Sequence, residues 1–224
     1  MAPYYYNAFE SGSDQKLKQE MKHMLDKCKK KDNSIVILCI GTDRATGDCL
    51  GPLVGDYLKS TIPDLPVFGT LSHPVHALNL EETISKIYKM HKNPFIIAVD
   101  ASLGIPEHIG YATLNPSPLI PGKGVNKKLP AIGNLSITGI VNVAGFPNSV
   151  LLQSTRLHTV VTLASCIGNA LYHCFTSADT DFYRPAPLYA AMASETVSAV
   201  PSSISEMRSA TFAGVQNSLP STAP

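Results

Sequence analysis

The chain has 224 residues, of which 44% are hydrophobic and 16% charged, and a formal net charge of +1. That length and balance suit one globular α/β domain with a full core. A charge so near zero gives no long-range pull toward nucleic acid or an anionic membrane, so neither is expected as a partner. No apolar run reaches the roughly 18 residues of a membrane-spanning helix. The N-terminal residues Met1-Ala2-Pro3-Tyr4-Tyr5-Tyr6 lack the basic and apolar regions of a signal peptide. Five cysteines without a CxxC pair argue against a disulfide framework or zinc knuckle and fit a reducing cytoplasm.

Leu17, Met21, Met24, Leu25 and Cys28 recur at helical spacing and predict an amphipathic helix over residues 15–30, with the basic run Lys27 to Lys31 at its end. The apolar run Ile35-Val36-Ile37-Leu38-Cys39-Ile40 predicts a strand over 34–40 that is buried on both faces, as in a parallel sheet. It empties into a loop, Gly41 to Pro52, that leads to a helix over 50–60 ended by Pro63. A short strand is expected at Val67-Phe68, then a helix over 80–90 capped by Asn79 with Glu81 and Glu82 in its first turn. A second apolar run, Phe95-Ile96-Ile97-Ala98-Val99, is followed directly by Asp100. Strands over 109–114 and 135–143 flank a proline- and glycine-rich segment, Asn115 to Gly124, which is expected to be a shaped loop. One long helix is expected over 147–175, with Leu151, Leu152, Val160, Leu163, Ala164, Ile167 and Leu171 on its apolar face.

This alternation predicts a three-layer α/β architecture, an open and mostly parallel sheet with helices on both faces. The domain is expected to span residues 1–176. Residues 177–224 are rich in Ser, Thr, Ala and Pro without apolar periodicity, and a disordered tail is expected there.

Ligands of open α/β sheets bind beyond the carboxyl ends of the strands. Asp48 and Asp100 would face each other there, and two carboxylates in one desolvated site can be driven to different pKa values, one a base and one an acid. Taken singly, Asp48 reads equally well as a helix cap and Asp100 as a strand-end polar residue. Asp43 could bind a substrate amine, shape the loop by an Asx-turn, or pair with Arg44. The Gly41–Gly51 spacing matches neither the dinucleotide nor the P-loop fingerprint, and two aspartates would repel a phosphate. Cys49 adjoins a carboxylate that disfavours its thiolate, so it is expected to pack rather than attack. His73 and His76 are separated by Pro74 and so are not a helical metal pair, although His76 follows a strand and belongs near the crevice. The turn with Gly122, Lys123 and Gly124 is either a rigid surface feature or a rim over that crevice.

In this order, Gly41 to Pro52, Ile96 to Gly104, and Pro121-Gly122-Lys123-Gly124-Val125 resemble the YyaC-type spore protease family of spore-forming bacteria. Gly69-Thr70-Leu71, Pro74-Val75-His76-Ala77 and Ser154-Thr155-Arg156-Leu157 add to the match, which covers roughly residues 15–175. That family is similar to the germination protease that degrades small acid-soluble spore proteins. More distantly, it resembles hydrogenase maturation proteases, which have a phosphorylase/hydrolase-like α/β fold. The resemblance implies a peptidase with Asp48 and Asp100 as catalytic pair and the Gly122-Lys123-Gly124 turn close by. It further implies a protein or peptide substrate such as small acid-soluble spore proteins, no cofactor, and a cytoplasmic, forespore or spore-core location. Oligomeric state stays open. Hydrogenase maturation proteases hold nickel with carboxylates at the two corresponding places plus a histidine. This sequence has no clear counterpart to that histidine, so nickel or another divalent metal stands only as an alternative. A catalytically silent, partner-binding sporulation protein of the same fold is the other.

Overall fold

Both apolar runs are neighbouring interior strands of one six-stranded sheet. The computed structural model describes residues 4–28, 30, 33–120, 131–145 and 147–176. The strands are β1 (Tyr4–Asn7), β2 (Ser34–Cys39), β3 (Val67–Phe68), β4 (Pro94–Gly104), β5 (Tyr111–Asn115) and β6 (Leu135–Val143), in the order β1-β5-β6-β4-β2-β3. The pairs β2–β3, β2–β4 and β4–β6 are parallel, whereas β5 runs antiparallel to both β6 and β1.

Side chains alternate across this sheet. Val36, Leu38, Ile40, Ile96 and Ala98 project to one face, where Leu80 and Ile87 of α3 (Leu80–Met90) cover them together with Val75, Leu119 and Ile132. On the other face lie α1 (Ser13–Cys28), α2 (Leu50–Thr61) and α5 (Leu157–Phe175), packed on one another and on the central strands. The mixed sheet with helices on both faces is the expected α/β fold.

Four details differ from the sequence reading. The strand β1 was not expected, because four residues of mostly tyrosine carry no recognisable alternation. The second apolar run continues as strand through Asp100 to Gly104, since β6 keeps pairing with it beyond the apolar stretch. Asn79 occupies the position before α3 but does not cap it; its Oδ1 accepts the His76 N–H (2.8 Å) and its Nδ2 donates to the Pro74 carbonyl (2.9 Å). The long helix is two, α4 (Asn148–Gln153) and α5. The Leu151 carbonyl, which a continuous helix would give to the Thr155 N–H, instead accepts Thr155 Oγ1 (2.8 Å) and Asn142 Nδ2 (2.9 Å), and the chain turns extended at Arg156. The segments 121–130 and 177–224, and with them Gly122, Lys123, Gly124 and the tail, lie outside the described residues.

Candidate active site

Chain order decides where a crevice opens. From β2 the chain passes through α2 outward to β3, whereas from β4 it passes the other way to β5 and β6. The loops leaving β2 and β4 therefore diverge, and the gap between them is the sheet's topological switch point, the usual ligand site of open α/β sheets.

Asp48 reaches this gap from a 3-10 turn, Gly47–Cys49, that runs into α2. It does not cap that helix: the cap position is Cys49, with no side-chain cap bond. The loop is tied back on itself and on its neighbours. Gly41 N–H donates to the Val75 carbonyl (2.8 Å), Thr42 N–H to the Asp48 carbonyl (3.1 Å), and Asp48 N–H to the Ala45 carbonyl (3.0 Å). Gly47 backs onto Leu152 and Thr155, so that a β-carbon there would collide with the α4–α5 junction. Asn142 at the end of β6 holds the junction through Leu151 and Thr155.

Asp100 lies in β4 opposite Thr138 of β6, on the face that carries Ile96 and Ala98. One of its oxygens accepts the Ala101 N–H (2.8 Å). Beside it, Ser102 Oγ donates to Thr138 Oγ1 (3.3 Å), which is also bonded to Thr113 Oγ1 (2.7 Å).

Burial pushes both carboxyls up from the usual aspartate range, Asp100 the more strongly. The Asp48 charge raises Asp100 further, and only the Ala101 N–H opposes this. For Asp48, the Thr42 N–H and then the charge of His76 pull in the opposite direction. Asp48 is thus within electrostatic reach of both Asp100 and His76. His76 is half-buried; in the neutral ring Nδ1 accepts the Leu78 N–H (3.3 Å) and Nε2 holds the proton, whereas the charged ring, which acts on Asp48, gives up that bond.

Asp43 is exposed at the loop tip, where its carboxylate accepts a long bond from Thr42 Oγ1 (3.4 Å). Thr42 Oγ1 in turn accepts the Arg44 N–H (3.4 Å), so the turn is shaped by Thr42 rather than by Asp43. Cys49 is buried, with Sγ directed at the Thr46 carbonyl (2.9 Å). Among the described residues no three His, Cys, Asp or Glu side chains are grouped to hold a metal ion. No helix among them is long and apolar enough to cross a membrane. The roles of Thr42, Asn142, Thr155 and Thr138 are not legible in the sequence, because each acts through contacts with residues distant in the chain or through a main-chain N–H.

Fold and site together define an α/β protein with two aspartates, Asp48 and Asp100, at the switch point of its sheet. The chain belongs to the DUF1256 family, proteins of unknown function, which it matches over residues 8–170. It is 52% identical over 138 residues to the uncharacterized protein YyaC of Bacillus subtilis (strain 168), an overlap of 61% of this chain and 67% of that protein. The family match encloses Asp43, Asp48, His76 and Asp100.

Proposed function

We propose that this protein hydrolyses peptide bonds of a protein substrate, with Asp48 and Asp100 as an acid–base pair. The observation that carries the reading is that the Asp48 charge reaches Asp100 at the sheet's switch point, where burial raises both carboxyls, Asp100 the more strongly. Like charges in one site favour a single shared proton. Asp100, raised by burial and by Asp48 with little to offset it, keeps that proton. Asp48, favoured as an anion by the Thr42 N–H and by His76, is the base.

In the proposed reaction Asp48 takes a proton from water as its oxygen attacks the scissile carbonyl. The Asp100 carboxyl donates a hydrogen bond to that carbonyl oxygen and then gives its proton to the leaving amine as the C–N bond breaks. The proton on Asp48 returns to Asp100 and resets the pair. No covalent intermediate forms. The substrate implied by the family resemblance is a small acid-soluble spore protein, which would place the activity in the forespore or spore core.

The test is incubation of the purified protein with small acid-soluble spore proteins, with Asp48→Asn and Asp100→Asn as controls. Cleavage by the wild type that both substitutions abolish supports the reading. No cleavage by the wild type favours a silent binding protein of the same fold. Activity that a chelator removes and nickel restores favours a metal-dependent protease.

A further inference from the structure

Among the described residues, the main-chain edge of β4 next to Asp100 is open. Pairing with β2 ends at Cys39 opposite Val99, and the last bond between the two strands runs from Ile40 N–H to the Val99 carbonyl (2.7 Å). The chain then swings away, because Gly41 N–H donates to Val75 on the β3 side. β4 continues for five more residues, paired among the described residues on its β6 side alone.

Main-chain groups of a strand alternate between its two edges. The Ile96 and Gly104 carbonyls accept the Asn134 and Ala144 N–H groups at the β6 edge (2.8 and 2.6 Å), which assigns the even-numbered residues to that side. Val99, Ala101 and Leu103 point the other way. Asp100 takes the Ala101 N–H. The Ala101 carbonyl, the Leu103 N–H and the Leu103 carbonyl are left without a main-chain partner among the described residues. All four residues from Ala101 to Gly104 are half-buried although their strand is central in the sheet. Such a row of unpaired groups at strand spacing is complementary to one ligand chemistry above all, another extended main chain.

We propose that an unfolded polypeptide segment binds as an added strand along Ala101–Gly104, in the place β2 vacates. This inference rests on the hydrolysis reading for its purpose, since it lays the bound main chain beside Asp100 and opposite Asp48, but not for its binding. It makes the substrate an extended segment rather than a folded surface. Leu78 beside His76 and Ile105 beyond the end of β4, 82% and 54% exposed, offer apolar contacts to its side chains.

The experiment separates the two readings by using protein that cannot cleave. Asp48→Asn protein is mixed with a pool of random octapeptides bearing a photo-crosslinker, irradiated and mapped by mass spectrometry, in parallel with the same pool N-methylated at every residue. The expected result is crosslinking within residues 101–105 or the facing 41–44 loop, lost with the N-methylated pool. Leu103→Pro removes a single unpaired donor from an edge where proline is tolerated, and is expected to weaken crosslinking at least about fivefold with the melting temperature retained. Crosslinks that persist with the N-methylated pool, map elsewhere, or fail to form with the unmethylated pool overturn the proposal. Each of these outcomes leaves the cleavage assay to be read by itself.

Discussion

Gly41 lies directly against the Asp48 carbonyl, with no room for a β-carbon between them, and its φ of +143° is one that L side chains rarely adopt. The Asp48 turn is therefore closed onto the end of β2 by a residue without a side chain. Gly41→Ala is expected to cost roughly 2–4 kcal/mol, from backbone strain and the collision together. Gly145→Ala is the control: it is exposed and its new methyl would meet one side-chain atom of Leu151 at 3.2 Å. It should stay within about 0.5 kcal/mol of wild type. Urea unfolding of both variants measures the difference.

The physics that made parts of this protein legible in its sequence is local. The stretches Val36–Ile40 and Phe95–Val99 are buried on both faces, so the runs that hold them stand out without knowledge of their neighbours, and Asp48 and Asp100 follow their ends. The helix over residues 80–90 was legible from its apolar positions and acidic first turn, whereas Asn79 gives its side chain to His76 and Pro74 instead of the cap that the sequence suggests. What failed depended on distant partners. The break between α4 and α5 hangs on the Asn142 side chain, which competes for a carbonyl nine residues away. The added length of β4 depends on β6, and the unequal settings of the two aspartates depend on Thr42 and His76, which carry no marker of that role.

Asp100→Asn should stabilise the protein at neutral pH. A carboxyl whose pKa is higher folded than unfolded resists folding in its ionised form. Stability is then full below the unfolded value, about 3.9 for aspartate, and is withdrawn as pH rises through the raised folded value. Burial and Asp48 both raise Asp100. Asparagine keeps the acceptor for the Ala101 N–H and removes the charge. A gain of about 1 kcal/mol at pH 7, or roughly 2–4 °C in melting temperature, is expected. The gain should vanish near pH 3, where both forms of the wild-type residue are protonated. In a cleavage assay the same variant should lose about 10²–10⁴-fold in rate.

His76 is expected to act on Asp48 through its charge. An imidazolium within reach of a carboxylate favours the anion, and His76 lowers Asp48 against the upward push of burial. His76→Gln should move the Asp48 titration to higher pH. Titration of protein with ¹³C-labelled aspartate carboxyls reads this directly and does not depend on activity. A resonance of Asp48 that titrates unchanged in the variant would remove His76 from the site.

The cysteines test whether the site employs a thiol. Burial pushes Cys166 up to about 12 and Cys174 up to about 11, and raises Cys39 further. Cys49 is raised by burial and again by the charges of Asp48 and Asp43, so the neighbours that suit a carboxylate mechanism oppose a thiolate one. Cys28 alone is exposed. Iodoacetamide at neutral pH should therefore modify Cys28 first and leave Cys39, Cys49 and Cys166 intact until the protein unfolds, which peptide mapping resolves. Cys49→Ala should retain cleavage within about twofold, since loss of a packing group at this size acts on stability more than on chemistry. Loss of all cleavage in a folded Cys49→Ala protein would instead make the thiol the nucleophile and Asp48 its neighbour.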